Sequence, residues 1–177
     1  MCIVSPPGSA HAATLVMIAF CVDINLYRSM PKVKTVPFET TLLVRDCCLC
    51  LHVQRAARAL ARRFDEVLRP FGLTNGQFSL LMSLNRREPS PMGPVASLLA
   101  MDRTTLTAAL KPLERRGLVK VSPDPADGRS RLLALTPKAH ELLLRAVPVW
   151  ESTHRKVEAL MPEGAPKGLR DALRAIS

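Results

Sequence analysis

The chain has 177 residues, 47% of them hydrophobic, enough to bury one core and to fold as a single compact domain. Lys and Arg total 25 against 15 Asp and Glu, a net charge of +10 with a pI near 10.0, so a polyanionic partner is expected, nucleic acid or an anionic membrane surface. The five cysteines are odd in number, and Cys47, Cys48 and Cys50 crowd too closely to staple distant segments, which argues against a secreted disulfide framework and for a reducing cytosol.

Residues 12–22 form the longest apolar run, too short for a membrane helix and not preceded by the Lys or Arg of a secretory leader. No membrane association is expected. Through residue 45 no period is sustained, and Pro6, Pro7, Gly8, Pro31 and Pro37 interrupt every candidate element, so 1–45 reads as a poorly structured extension. Met30, followed by Pro31, Lys32 and Val33, reads as an alternative start, which would make residues 1–29 an artefact of gene calling.

Regularity begins at Asp46. Cys50, Val53, Ala57, Leu60, Phe64, Val67 and Phe71 recur at spacings of three and four with arginines between them, predicting an amphipathic helix that ends near Pro70. Thr74 and Gln77 then form a capping box ahead of Phe78, Leu81, Met82 and Leu84, so a second helix runs to about Asn85. Ser90 and Pro91 suit the cap and first position of a short third helix with Val95, Leu98 and Leu99 inward, stopping around Met101. Asp102 caps a fourth helix with a Leu106, Ala109, Leu110, Leu113 stripe, which Gly117 ends.

Residues 118–122 and 131–136 read as two strands around the turn formers 123–129, a hairpin with a basic tip. Thr136 and Pro137 start a long helix whose apolar face includes Leu142, Ala146, Val149, Trp150, Val157 and Leu160, with a kink expected at Pro148. A last helix carries Leu169, Ala172, Leu173 and Ile176. The predicted fold is mainly α with a small β-hairpin wing, a winged helix-turn-helix. The divisions are 1–45 extension, 46–71 first helix, 72–136 winged helix-turn-helix module and 137–177 C-terminal helices.

In this element order the fourth helix is the one that enters a major groove, while the hairpin reaches sideways. Thr104, Thr107, Ala108, Lys111 and Arg115 lie opposite the leucine stripe, a face without acids. Small hydroxyls permit close approach to bases, Ala108 suits a thymine methyl, and Lys111 and Arg115 supply charge for phosphates. Arg103 lies in the first turn, where groove contacts begin. On the wing, Asp127 is placed to pin the Arg129 guanidinium, and Arg129 and Arg131 form a basic tip suited to a narrow minor groove. His11, His52, His140 and His154 are scattered, and no phosphate-cradling glycine loop, metal-ligand helix motif or nucleophile elbow is present, so neither a catalytic site nor a cofactor is expected. Cys47, Cys48, Cys50 and His52 point in divergent directions along one helix, which argues against a metal site.

The stretches Asp102-Arg103-Thr104-Thr105-Leu106-Thr107, Leu113-Glu114-Arg115-Arg116-Gly117-Leu118-Val119, Asp124-Pro125-Ala126-Asp127-Gly128-Arg129 and Leu135-Thr136 resemble, in order and spacing, the signature of the MarR family of transcription regulators. The resemblance spans residues 46–160 and brings Thr105 into the expected contact set. It implies a homodimer whose terminal helices interlock, two winged modules on successive grooves of a near-palindromic double-stranded DNA operator, and an effector pocket for a phenolic or other small organic acid. The expected function is a sequence-specific regulator, a repressor released by such a ligand.

Aligned through Leu73-Thr74, Cys50 falls near the reactive cysteine of the hydroperoxide-sensing branch of the family. A helix N-terminus with Arg45 nearby favours a thiolate, and Cys47 or Cys48 would resolve its oxidised form. That branch holds its thiolate with tyrosines, whereas the matching region here has Gln54 and Phe64. Redox sensing therefore stands as an alternative, as does a winged helix used only to bind an acidic protein.

Overall fold

The computed structural model describes residues 34–127 and 130–176. The expectations on residues 1–33, including an alternative start at Met30, and on Arg129 lie outside the described residues. The chain divides into two compact units, Met1–Leu51 and His52–Ser177.

In the first unit the sequence predicts an irregular extension through residue 45, but Phe38–Cys47 is a helix, α1. The expectation treated Pro37 as an interruption. It is the residue that precedes the first helical position, where its missing N–H costs nothing. The helix buries none of its residues, and Val36, Phe38, Leu43 and Val44 are exposed. The predicted helix from Asp46 is broken at Cys48, whose extended backbone closes α1, and α2 runs Leu49–Leu68.

In the second unit the apolar stripe of α2 splits. Phe64 and Leu68 are buried, and Val67 and Phe71 pack on the same core, but Ala57 is exposed and Leu60 is 40% exposed. A short 3-10 turn, Arg69–Phe71, ends at Gly72 with φ of 65°. Helix α3, Asn75–Ser83, has the expected capping box, Gln77 N donating to Thr74 Oγ1 and Thr74 N to Gln77 Oε1, both at 3.2 Å. Asp65 Oδ1 accepts from Asn75 N at 2.6 Å and ties α2 to this start.

The predicted cap at Ser90 is not formed. Ser90–Pro91 is a short strand, β1, with Ser90 buried opposite Leu133, and α4, Met92–Leu98, starts one residue past Pro91. The predicted two-stranded hairpin is therefore a three-stranded antiparallel sheet in the order β1-β3-β2, with β2 Val119–Pro123 and β3 Arg131–Leu135. A two-residue edge strand is too short to show the period-two pattern by which strands are read. Leu98, expected inside, is 61% exposed, and Ala96 takes the buried place beside Val95.

Helix α5 spans Arg103–Arg115 and passes through Pro112, which leaves the Ala108 carbonyl without its usual helical donor. Leu106 and Leu113 are fully buried and Leu110 nearly so, each contributing on the order of 1.5–3 kcal/mol through burial. The base of the wing is locked to the end of α5. Gly117 takes the expected left-handed φ of 68°, Thr136 Oγ1 donates to Gly117 O at 2.7 Å and accepts from Ala139 N at 3.2 Å, and Lys138 Nζ donates to Arg116 O at 2.8 Å. The guanidinium of Arg116 donates to Gly72 O at 2.7 Å, so the end of α5, the base of the wing and the α2–α3 connection are tied together.

Helix α6, Pro137–Glu158, is capped by Thr136 as predicted and continues through Pro148. Leu142, Leu143 and Ala146 are buried, and Trp150 stacks on Phe78 at 5.8 Å, whereas Leu160 beyond its end is 71% exposed. Helix α7, Ala165–Arg174, buries no residue, and Leu169 on it and Ile176 just past it are exposed. It is joined to α6 by an ion pair of Arg170 with Glu158. No helix among the described residues is long and apolar enough to cross a membrane.

Candidate nucleic-acid interface

The interface is built on α5. Its inner stripe is fixed by Leu106, Leu110 and Leu113 in the core, and a rigid helix with one face buried presents the opposite face without freedom to rotate. Thr104, Thr107, Ala108, Lys111 and Arg115 are all exposed, as are Arg103 and Thr105 in the first turn. The helix has one carboxylate, Glu114, exposed in its last turn beside Arg115.

The N-terminus of α5 is held by Asp102. Its Oδ1 accepts from Thr105 N at 2.8 Å and its Oδ2 from Thr105 Oγ1 at 2.7 Å. The Thr105 hydroxyl and then the Thr105 N–H hold the Asp102 carboxyl below its ordinary range. A depressed carboxyl pKa means that the cap stabilises the fold above the unfolded-state value and is lost as pH falls through the folded one. Asp102→Ala should therefore lower the melting temperature at neutral pH and flatten its acid dependence. Asp102→Asn should keep most of the cap while also losing the acid dependence, because Asn caps without titrating. Thermal melts from pH 7 down to pH 3 check both; an Ala variant that melts like the parent at neutral pH would contradict the assignment.

Thr107 Oγ1 donates to Arg103 O at 2.7 Å, and Thr105 Oγ1 to Asp102. A hydroxyl that donates inward keeps its oxygen lone pairs for an incoming donor, such as the amino group of adenine or cytosine in a major groove. Lys111 and Arg115 bring the long cationic arms of the same face.

On the wing, Ala126 N donates to Asp124 Oδ1 at 2.9 Å and Ser130 N to Asp127 O at 2.8 Å, so local bonds hold the described residues that flank the tip. Asp127 and Arg131 are exposed, and Arg131 opposes Pro123 at the start of β3. What residue-by-residue reading missed is a cleft that joins the wing to α5, lined by Arg103, Asp127 and Arg131 together with Met92, Gly93 and Ser130. The signal was available only in part, since Arg103 lies on the flank of α5, between its exposed face and its buried stripe, at 100° per residue.

At the helical end, Cys47, Cys48 and Cys50 remain thiols, with Cys47 and Cys50 exposed. Cys48 Sγ accepts from Leu51 N at 3.5 Å, and Cys50 is the second residue of α2. Among the described residues no group of three or more His, Cys, Asp or Glu is arranged to hold a metal ion.

A family model described as the MarR family matches residues 73–130, from just before α3 to the residue before β3. The transcriptional regulator MosR of M. tuberculosis, in a crystal structure in complex with DNA, superposes with a TM-score of 0.65 at 38% identity, over 72% of this chain and 92% of that one. CouR from Rhodococcus jostii RHA1, in a structure bound to p-coumaroyl-CoA, has a TM-score of 0.65 at 25% identity, over 75% of this chain and 93% of that one. The transcriptional repressor MprA of Escherichia coli (strain K12) is 31% identical over 114 residues, 63% of this chain and 61% of that protein. The chain spans 61–64% of the length of curated relatives such as this.

Proposed function

The chain belongs to the MarR family of winged-helix transcription regulators, and from that premise we propose that it binds a near-palindromic operator in double-stranded DNA as a cytoplasmic homodimer and represses transcription until a small organic ligand releases it. The observation that carries the reading is the exposed face of α5. Two hydroxyls, a methyl and two cations stand exposed opposite a buried leucine stripe, and the bond from the Thr107 hydroxyl to Arg103 O leaves that hydroxyl's oxygen able to accept. Thr104, Thr107 and Ala108 would face bases, Lys111 and Arg115 phosphates, with Arg129 at the wing tip in the minor groove.

A second copy of the chain accounts for the apolar residues that the monomer leaves uncovered. Leu60, Leu160, Leu169 and Ile176 are 40%, 71%, 49% and 62% exposed, and they lie on or just past α2, α6 and α7. Such surface on a monomer marks an association site. The ligand is read from relatives alone: CouR is seen with p-coumaroyl-CoA, and BpsR of Bordetella bronchiseptica is described as regulated in DNA binding by 6-hydroxynicotinic acid.

Selectivity tests the proposal against a winged helix that only binds an acidic protein. A duplex enriched by the full chain from a random pool should bind at least ~10³ tighter than a scrambled duplex of the same composition. Equal affinities would overturn the reading.

A redox-responsive regulator is the second reading, favoured by the exposed Cys50 in the first turn of α2. There the Cys50 thiolate takes an oxygen from a peroxide and becomes a sulfenic acid, the peroxide leaving as water or an alcohol, and Cys47 or Cys48 then displaces water to form a disulfide. Peroxide should release the parent protein from the enriched duplex and leave Cys50→Ser bound. Equal release of both would remove Cys50 from the mechanism.

A further inference from the structure

The cleft between the wing and the first turn of α5 has a volume of about 270 Å³. Two arginines reach it from different elements, Arg103 as the first residue of α5 and Arg131 as the first residue of β3. The backbone is fixed at both. Asp102 pins the first turn of α5 through Thr105, and Thr107 Oγ1 donates to Arg103 O. The pairing of Arg131 with Pro123, and the bonds Ser130 N to Asp127 O and Asp124 N to Ser130 O, hold the start of β3. Gly93 contributes no side chain to the lining, and a Cβ there would meet nothing within 4 Å, so that wall stays open.

We propose that this cleft is a clamp for one phosphodiester group of the DNA backbone, held jointly by Arg103 and Arg131; the inference rests on the DNA-binding reading of α5 and the wing. Each guanidinium is a planar fork of N–H donors matched to a pair of phosphate oxygens, and two forks on independent elements converge on one anion more firmly than either alone. The charge fits a diester. Two arginine cations line one cleft, and the DNA backbone presents a singly charged phosphodiester at every step. Because one arginine rides on the recognition helix and the other on the wing, a shared phosphate fixes the two in register on the duplex. Contacts of this kind set position and leave sequence choice to the bases.

The test uses the full chain and its enriched duplex, with Arg103→Gln, Arg131→Gln and the double variant, each titrated over a range of salt. Both side chains are exposed, so the variants are expected to fold like the parent. A shared phosphate predicts that each single variant loses about tenfold in affinity, that the losses do not multiply in the double, and that the double lowers the salt slope by about 0.9 per protomer. Neutral methylphosphonate links, scanned along each strand, should reveal one position per half-site whose neutralisation weakens the parent and leaves the double variant unaffected. Losses that multiply, a slope change of about 1.8 per protomer, or two different sensitive phosphates would overturn the clamp while leaving DNA binding intact. A parent chain that enriches no duplex overturns the DNA reading and the clamp together.

Discussion

Leu106→Ala is expected to cost about 2–5 kcal/mol, a large part of the ~5–15 kcal/mol that a domain of this size has to lose. Leu106 is fully buried beneath the interface, and it packs in one core with Leu68, Leu81, Leu113 and Leu133, drawn from α2, α3, α5 and β3. A cavity there loosens the helix that presents the DNA face, so affinity for the enriched duplex should fall as the folded fraction falls, most steeply on warming. Urea unfolding followed by circular dichroism measures the effect. The midpoint should drop with the slope unchanged, since the change removes stability and not the surface exposed on unfolding. A midpoint within error of the parent would mean that Leu106 is not the keystone that its burial indicates.

Lys111→Glu, five residues further along the same helix and on its opposite side, should give the reverse pattern. The side chain is exposed, so the melting temperature should hardly move. Binding should collapse, because each protomer loses a cation at the phosphates and gains an anion, and the pair of protomers doubles the effect. Loss of the two phosphate contacts alone should reduce the salt slope by about two for a dimer, and enriched and scrambled duplexes should weaken alike. A variant that loses selectivity and keeps its salt slope would place Lys111 at a base edge and not at the backbone. Together the two substitutions separate the scaffold from the surface it holds.

Much of the scaffold was legible because its punctuation is local. Thr74 with Gln77, Asp102 with Thr105, Gly117, and Thr136 with Pro137 mark element ends by hydrogen bonds that span three residues or by a backbone angle few residues adopt, and each is found where the sequence places it. The leucine stripe of α5 and the exposure of its other face followed from helical period alone. What was not legible depends on neighbours distant in sequence. Ser90 has the chemistry of a helix cap, but its strand partner Leu133 lies 43 residues away and claims its backbone for the sheet. Leu98 fits the apolar spacing of α4, yet no element among the described residues covers it. The stripe on α2 is uniform in sequence and half uncovered in the monomer, because period says which residues share a face and not what packs on it. The MarR resemblance, read from α5, the turn after it and the wing, implies a partner for that uncovered half, a second copy of the chain. Arg103 and Arg131 were each singled out, but only the fold brings both to one cleft.

The account comes down to one rigid face presented twice, in a symmetric pair, to one duplex. Hydroxyl-radical and major-groove methylation footprints of the full chain on its enriched duplex read this directly. The expected result is two protected major-groove patches related by a dyad and centred one helical turn apart, about 10–10.5 base pairs or a multiple of it, with cuts in each patch restored by Lys111→Glu. A single unpaired patch, or protection that persists unchanged in Lys111→Glu, would contradict it.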